Sequence, residues 1–448
     1  MITRNIFADT GNELKAFLMS VIRSANFSLT QIQLTDQTAW RFDKGALSHT
    51  SNGFFHVCGL EHRSSREQKL VLFQPQSALT GLALYKKGAT VYVLLQARIE
   101  PGNTNTGQFG PTIQSTPANY LRTHGGKATA CTDWFTHYQP GIRPLDSSMQ
   151  FDLGERYFQK SKFHNYVEVE QPDIPDPSMI WASLEAIFAV LQEDHFLNAD
   201  LRSLLSVFDW SYYLAVAATK MENASEDESQ FMQALLQGKN TGSDGWQLIA
   251  LQALRDWRIS NYGIEDETGK GIDVVMYQTD CTTREVMSWV QPLLRAKHKG
   301  LVRLLVRDSA AGELDCLLTL VKESGICGGH TIHPSVVTYP GDSAPLAHIV
   351  PDGIELVAFE QSDEGGRFIH HESVYQVIKV SGSKTAPNQY WVSLSFLKKI
   401  LATSNLASFQ LRCCISGLLP EMHPQLKPVA CTDVLSPLSR EIDDFCFS

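Results

Sequence analysis

The chain has 448 residues, which is more than one hydrophobic core usually supports, so two modules of roughly 200 residues each are expected. With 43% hydrophobic and 19% charged residues, its composition is that of an ordinary soluble globular protein. The net charge of −10 and the pI near 5.8 argue against electrostatically driven binding to nucleic acid, although a local pocket can still bind a nucleotide.

A helix followed by a series of strands is predicted for the first part of the chain. Thr10 and Glu13 form the ends of a capping box, and the apolar residues after them recur at helical spacing (Leu14, Phe17, Leu18, Val21). Short apolar runs separated by turn residues then predict strands at 54–57, 69–73, 81–85 and 91–99. A second helix is predicted near 183–192.

A polar, acidic stretch at 221–245 separates the two halves and contains a short helical stripe around 231–236. The second half repeats the strand-rich order and ends with a predicted helix near 392–400. We therefore expect an α+β protein, with a mixed sheet and flanking helices in each half. The predicted division is a first module at 1–210, a helical acidic connector at 211–250 and a second module at 251–448.

The two halves also match each other in sequence. Trp40-Arg41-Phe42 returns as Trp257-Arg258-Ile259, and several later matches keep nearly the same spacing. Gln150, Asp152, Gly154 and Arg156 correspond to Gln361, Asp363, Gly365 and Arg367. A period of about 215 residues is too long for a solenoid or a propeller blade, so a tandem duplication of one domain is indicated.

Targeting, redox and cofactor motifs are lacking. The first residues do not have the charged-then-apolar order of a signal peptide, and no apolar run approaches about 18 residues, so we expect a cytoplasmic protein. The nine cysteines are scattered without a CxxC pair, which favours reduced thiols over disulfides or a zinc ribbon. No GxGxxG, P-loop or HExxH motif indicates a nicotinamide, ATP or zinc site.

The densest polar set follows the last predicted strand of the first half. Gln96, Arg98 and Glu100 share one face of that strand, roughly 7 Å apart, so they could line one wall of a pocket. Further polar candidates follow in a stretch rich in glycine and proline: Asn103, Thr112, Gln114, Asn119, Tyr120 and His124. The alternative is a half-solvated sheet face on which Arg98 and Glu100 form an ordinary surface ion pair.

The second half has lost this polar set but has kept the apolar framework around it. Arg98, Asn103, Gln114 and Tyr120 are replaced by Val321, Ile326, Val337 and Ser343. The later motif shows the reverse, since 361–368 is rich in polar and glycine residues whereas 150–157 is looser. A working site built across both modules, or across a dimer, would explain this complementary pattern; independent drift of the two copies is the alternative.

The segments 96–103 and 111–116, Asn119-Tyr120 and His124-Gly125 together resemble the signature of the NDP-hexose 2,3-dehydratases. Gly45 with His49, and the segments 53–55 and 361–368, resemble that family's pattern as well. The resemblance implies two Nudix-like modules in a homodimer. It also implies a nucleotide-linked substrate, a dTDP-bound 4-keto-6-deoxyhexose, in deoxysugar pathways that serve natural products. In the second module, Glu323-Ser324-Gly325 stands where the family tends to repeat Glu-Pro-Gly.

The reaction that the resemblance implies needs neither a metal nor a cofactor. A base removes the C3 proton beside the C4 ketone, the C2 hydroxyl leaves with help from an acid, and the enol becomes a 3,4-diketo-2,6-dideoxy sugar. Glu100 is the first candidate for the base, and Tyr120 or His124 for the acid. The candidates for substrate binding are His49, Gln96, Arg98, Asn103, Thr112, Gln114, Asn119, Asp363, Glu364 and Arg367, of which Arg367 could hold a phosphate bidentately.

Two other functions compete with this interpretation. A Nudix-type hydrolase needs clustered carboxylates on a helix for Mg²⁺, and the segment 284–289 lacks the carboxylates that would have to follow it. A sugar-nucleotide-binding homologue without activity, acting with a partner, is the stronger alternative. The polar set at 96–124 discriminates between them, because an enzyme should keep it intact, and this chain does.

Overall fold

The computed structural model describes residues 5–426 except 124, 138, 215–224, 240–244, 270, 310–311, 327, 342–351 and 383–384. The first half forms, in order, β1 (Phe7–Ala8), α1 (Gly11–Ser24), β2 (Phe27–Ile32), β3 (Trp40–Asp43), β4 (Ala46–His49), β5 (His56–His62), β6 (Gln68–Phe73), β7 (Ala78–Lys87), β8 (Thr90–Ile99), β9 (Gly107–Gly110), β10 (Ile113–Ser115), α2 (Pro117–Tyr120), α3 (Thr132–Thr136), β11 (Ile142–Phe151), β12 (Tyr157–Phe158), β13 (Ser161–Val169), β14 (Met179–Ser183), α4 (Leu184–Phe188), α5 (Ala199–Val207) and α6 (Ser211–Leu214).

The second half repeats most of this order. It forms α7 (Glu226–Lys239), β15 (Trp246–Ile249), β16 (Trp257–Ser260), β17 (Gly263–Asp266), β18 (Ile272–Cys281), β19 (Ser288–Ala296), β20 (Gly300–Asp308), β21 (Leu314–Val321), β22 (Thr331–His333), β23 (Val336–Thr338), β24 (Ile354–Ser362), β25 (Phe368–Ile369), β26 (Glu372–Lys379), β27 (Gln389–Ser393), α8 (Leu394–Leu401), α9 (Phe409–Gly417) and α10 (Leu419–Met422). The α+β class and the duplication predicted from the sequence are confirmed.

The first helix forms as the capping box predicts. The Thr10 side chain accepts a hydrogen bond from the Glu13 amide, and the Glu13 carboxylate accepts one from the Thr10 amide. The four apolar residues of its stripe are buried, because they face the large sheet of the first half. The predicted strands are also present, the first of them starting slightly later, at His56.

Each half contains a large and a small sheet. The large sheet of the first half has the order β1-β14-β8-β7-β13-β11, with β9 and β10 added to β8 and β7. Its counterpart has the order β22-β21-β20-β26-β24, with β23 and β27 added. In both, a parallel pair lies at the centre: β13 beside β7, and β26 beside β20. The polar strand β8 therefore lies inside a sheet, not at its edge.

The two halves exchange a strand. β2 of the first half pairs antiparallel with β18 of the second, and β15 of the second pairs antiparallel with β5 of the first. The turns after these strands dock reciprocally, since the Leu34 amide donates to the Asn261 carbonyl and the Leu251 amide to the Gly45 carbonyl. Each small sheet is thus completed by the other half, which fixes the relative position of the modules.

One hydrophobic cluster extends through both halves. It joins Val57 and Tyr157 of the first half to Leu304 and Phe368 of the second, all nearly inaccessible to solvent. Because this core is shared, each module buries part of its apolar surface against the other. The helix α7 precedes β15 as α1 precedes β2, so the predicted connector carries the same helix–strand pair that opens the first half. The boundaries at 210 and 250 stay a prediction.

The predictions about the cysteines and about membrane-spanning segments can be compared with the described residues. The cysteines among them are buried and unbridged, as expected for reduced thiols. Within the same residues, no helix is both long and apolar enough to cross a membrane.

Candidate functional site

Two reciprocal contacts bring each module's Glu-x-Gly turn onto the other module's glycine motif. The Gly102 amide donates to the Gly365 carbonyl at 2.7 Å, and the Gly325 amide donates to the Gly154 carbonyl at the same distance. A Cβ atom on Gly102 would lie 1.6 Å from the Phe368 carbonyl oxygen, so only glycine fits. We call the contact of Glu100–Gly102 with 361–368 the first junction, and that of Glu323–Gly325 with 150–157 the second junction.

A cavity of about 490 Å³ opens at the first junction, a size typical of small-molecule sites. Both modules line it. The first contributes, among others, Trp40, His49, Phe54, Phe55, Arg98, Glu100, Gln114, Asn119, Lys162 and Asp200, and the second Arg284, Glu285, Trp289, Gln291, Glu364 and Arg367. The hypothesis of a site built across both modules of one chain is therefore consistent with where these side chains lie.

Arg98 and Glu100 form a buried pair in this wall. Their side chains are 7% and 4% exposed, and the guanidinium lies 3.2 Å from the carboxylate. Arg98 also donates to the Gln96 side-chain oxygen at 2.9 Å, and Arg284 of the second module approaches Glu100 to 3.7 Å. The alternative of an ordinary surface ion pair is wrong, because β8 lies inside the sheet and its end is covered by the second module.

Glu364 and Arg367 face the same cavity and are held by residues of the first module. The Tyr157 hydroxyl donates to Glu364 at 2.8 Å and accepts from Arg367 at 2.9 Å, while Arg367 also donates to Gln74 at 2.8 Å. Burial opposes ionisation of Glu364, but the charges of Arg367 and Lys162 outweigh it and lower the pKa of its carboxyl. Arg367 in turn lies 5.2 Å from the Phe55 ring centre.

Lys162 and Asp200 also line the cavity, and the sequence reasoning did not select them. Their ammonium and carboxylate lie 2.7 Å apart, and both side chains are almost fully buried. Burial raises the pKa of Asp200 to about 6, whereas the surrounding carboxylates overcome burial and raise the pKa of Lys162. Aligning the two halves could have identified them, because both charges are absent at the matching positions of the second module, Ser373 and Gln410.

Three of the other predicted binding residues line the cavity. Gln114 accepts a hydrogen bond from the Asn198 side chain at 2.8 Å, and Asn119 lies on the short helix α2. His49 lines it as well, in edge contact with the rings of Trp40 and Phe54. Burial lowers the pKa of His49, so its ring is neutral near pH 7. The neutral ring can contact a bound molecule and form a hydrogen bond with it.

Thr112 and Asp363, predicted to bind substrate, do not line the cavity. The Thr112 hydroxyl accepts from the Ala83 amide at 2.8 Å and donates to the Leu94 carbonyl at 2.6 Å, and so bridges two strands. Ser335 makes the same two contacts in the second module. Asp363 is buried against His371 at 2.6 Å. The Thr112 hydroxyl is thus used within the protein, whereas one carboxylate oxygen of Asp363 has no hydrogen-bond partner among the described residues. A role of either residue in substrate binding stays a prediction.

Gln96, Asn103 and Tyr120 also lie outside the lining. Gln96 orients Arg98, and Asn103 lies in the turn that docks against Gly365, where its carboxamide would meet any added Cβ. Tyr120 ends α2 half-buried and does not reach the cavity wall. The predicted acid His124 lies outside the described residues. Of the three predicted catalytic residues, the structure thus places Glu100 at the cavity.

A family model described as NDP-hexose 2,3-dehydratase matches residues 11–208 and, a second time, residues 228–418. The chain belongs to this family. The two matches coincide with the two halves that share one order of strands.

Three curated relatives are named dTDP-4-dehydro-6-deoxy-alpha-D-glucopyranose 2,3-dehydratase. The protein from Saccharopolyspora spinosa is 26% identical over 91% of this chain and 90% of its own length. The one from Streptomyces violaceoruber is 26% identical over 87% of this chain and 93% of its own length. The one from Amycolatopsis orientalis is 27% identical over 88% of this chain and 87% of its own length.

Proposed function

We propose that this chain removes water from a dTDP-linked 4-keto-6-deoxyhexose and yields a 3,4-diketo-2,6-dideoxy sugar. The observation that carries the proposal is the intact set of polar side chains, Arg98, Glu100, Gln114 and Asn119, around the cavity of the first junction. The names of the three relatives support the substrate. An inactive sugar-nucleotide binder would not need this set, and the family match does not favour it.

The charges and rings of the cavity suit the two ends of such a substrate. Arg284 and Arg367 can bind the diphosphate, because a guanidinium offers a planar pair of donors to phosphate oxygens. Trp40, Phe54 and Trp289 provide apolar rings against which a nucleobase can lie. The sugar then occupies the polar end, beside Glu100.

Glu100 is our candidate for the base that removes the C3 proton. Its carboxylate oxygen Oε1 is held between Arg98 and Arg284, which fixes the orientation of the carboxylate at the cavity wall. The electrons of the broken C–H bond move to the C4 oxygen, then return to expel the C2 hydroxyl, which takes a proton and leaves as water. The proton donor stays a prediction, Tyr120 or His124: Tyr120 is not among the residues that line the cavity, and His124 lies outside the described residues.

We further propose that each module is Nudix-like, that the protein is a homodimer and that it acts in the cytoplasm without a metal or another cofactor. The mixed sheets with flanking helices, present twice, support the first point. The other points rest on the family resemblance. Sedimentation of the purified protein would test the dimer.

The function is tested by incubating the purified protein with dTDP-4-keto-6-deoxyglucose. We expect a product lighter by one water in mass spectrometry, which an aromatic 1,2-diamine traps as the adduct of a vicinal diketone. The matched control is dTDP-glucose, which lacks the C4 ketone that acidifies the C3 proton and should remain unchanged. Binding of the keto sugar without loss of water would contradict the proposal and favour the inactive binder.

A further inference from the structure

Lys162 and Asp200 form a charged pair in the cavity wall to which the proposed reaction has so far given no role. Lys162 lies on β13 and Asp200 on α5, and each side chain is about 4% exposed or less. Asp152 adds a second carboxylate oxygen 3.3 Å from the Lys162 nitrogen. A buried ion pair of this kind is weak support for stability, because desolvation offsets most of its Coulomb attraction. Its position on the cavity wall calls for a functional reason.

The ammonium of Lys162 has a donor to spare. It carries three N–H groups, of which one donates to Asp200 at 2.7 Å and a second faces Asp152. The third carboxylate near it, Glu364, is 3.8 Å away and already accepts from Tyr157. Since Lys162 lines the cavity, the remaining N–H can reach an oxygen atom of a bound molecule.

The second module shows that the fold does not need this pair. β26 runs parallel to β20 as β13 runs parallel to β7, so Ser373 occupies the position of Lys162. Gln410 on α9 likewise occupies the position of Asp200 on α5. The backbone is kept, whereas both charges are absent from the half whose polar set has been lost. The Lys162–Asp200 pair is therefore present where the polar cavity is present, and the fold forms without it.

We propose that Lys162 is a catalytic residue whose ammonium donates to the C4 oxygen of the bound sugar, with Asp200 as the residue that positions it. As the C3–H bond breaks, its proton goes to Glu100 and its electron pair forms the C3–C4 double bond, leaving a negative charge on the C4 oxygen. Lys162 stabilises that charge. When the C4 carbonyl re-forms, the pair makes the C2–C3 double bond and the C2–O bond breaks, and the departing hydroxyl takes a proton and leaves as water. The resulting C3 enol then tautomerises to the C3 ketone.

The electrostatics of the site fit this role better than that of a proton donor. The carboxylates around Lys162 overcome burial and raise its pKa, so the group keeps its proton and acts as a fixed positive charge. A fixed donor aimed at a developing oxyanion typically contributes about 10²–10³ in kcat. This inference rests on the proposed function, because it assumes a C4 ketone in the cavity.

The test compares the wild type with Lys162→Met in deuterated water, following both loss of water and deuterium at C3 of recovered dTDP-4-keto-6-deoxyglucose. We expect kcat to fall by about 10² or more with KM within about threefold, and no exchange at C3, because the enolate no longer forms. Lys398→Met, which removes a half-buried lysine away from the cavity, is the control and should keep wild-type rates.

Three outcomes are decisive. A Lys162→Met enzyme with wild-type kcat overturns this inference alone, and so does one that exchanges the C3 hydrogen but does not lose water, since Lys162 would then act after the enolate. A wild type that neither exchanges nor dehydrates overturns the proposed function as well. If Lys162→Met does not fold because it leaves buried carboxylates unpaired, Lys162→Met with Asp200→Asn removes both charges, and the same loss of exchange is expected.

Discussion

The two junctions have the same backbone contact and different contents. In both, a glycine amide of one module donates at 2.7 Å to a glycine carbonyl of the other. At the first junction the space beyond the contact is a cavity lined by Arg98 and Glu100. At the second junction the Tyr339 hydroxyl donates to Glu323 at 2.7 Å, and His333 lies 3.5 Å from the same carboxylate.

The difference lies in side-chain size and in charge. Tyr339 and His333 occupy the positions that Thr116 and Gly110 hold in the first module, so larger side chains stand where the first junction has room. Arg156, the counterpart of Arg367, donates to the Pro340 carbonyl and to His371. A duplicated interface can thus keep its backbone for stability while one copy gives up its binding groups.

The strongest test compares the Glu100→Gln variant, at the first junction, with the Glu323→Gln variant, at the second. Loss of a general base typically lowers rate by about 10²–10⁴, and we expect a fall of this size in kcat for Glu100→Gln. Glu323 is enclosed by Tyr339 and His333, so Glu323→Gln should keep kcat within about threefold. The measurement is the steady-state rate of water loss. Equal losses in the two variants would mean that both junctions take part in the reaction.

The arginine pair gives the next largest effect. Arg367→Lys keeps the charge but loses the fork that reaches Tyr157 and Gln74 and can meet a diphosphate, so KM should rise about tenfold or more. Arg156→Lys should leave KM unchanged and lower the free energy of unfolding, because the Pro340 carbonyl loses its buried donor. Steady-state kinetics and chemical denaturation separate the two. A rise in KM for Arg156→Lys would contradict the assignment of binding to the first junction.

Opening the second junction should weaken the protein without creating a site. Tyr339→Thr copies Thr116, removes a ring and leaves Glu323 without its hydroxyl donor, so we expect a loss of about 2–4 kcal/mol in the free energy of unfolding. Calorimetric titration with the sugar nucleotide should still show one site per chain, because Val321 and Val337 offer no polar contacts. A second site in this variant would show that size alone closed the junction.

The smallest effect concerns how the free energy of unfolding depends on pH, through a buried residue that differs between the modules. Burial, with the charges of Arg412 and Lys162, holds the pKa of His164 well below its usual range, whereas its counterpart is Tyr375. Because the pKa of His164 is lower in the folded protein than in the unfolded chain, where it is about 6.5, the full stability is present above pH 6.5. Below that pH the unfolded chain takes up a proton that the folded protein does not, so the free energy of unfolding falls by up to about 1.4 kcal/mol per pH unit.

His164→Gln should remove that slope, which denaturation at about pH 6 and 5 would measure. The variant is matched in size and stays neutral at both values. An unchanged slope would mean that other buried groups, such as His423, whose pKa burial lowers to about 4, dominate the acid response.

Local patterns in the sequence predicted the elements well because their causes are local. The capping box at Thr10 and the alternation along 91–99 depend on neighbouring residues, and both gave the correct helix and strand. Glu100 and Arg98 were found because their polar face has a decayed copy for comparison. Thr112 shows the limit of such patterns, because a hydroxyl in a polar motif can serve a strand–strand bridge as well as a ligand.

Lys162 and Asp200 were missed for a different reason. Lys162 closely follows the motif at 150–157 and Asp200 lies farther along, but only the packing of β13 and α5 brings both to the cavity beside Glu364. Tyr157 was missed for the same reason, because its hydroxyl is hydrogen-bonded to Glu364 and Arg367 of the other module, far away in sequence.

The sequence by itself determined the duplication, the α+β class and the module that keeps the polar set, because repeats and periodicity are properties of the chain. The tertiary structure alone decided that the modules exchange β2 and β15, and that the motif at 361–368 completes the cavity of the first module. The physical reason is that contacts between residues far apart in the chain depend on how two faces pack, which no local pattern encodes.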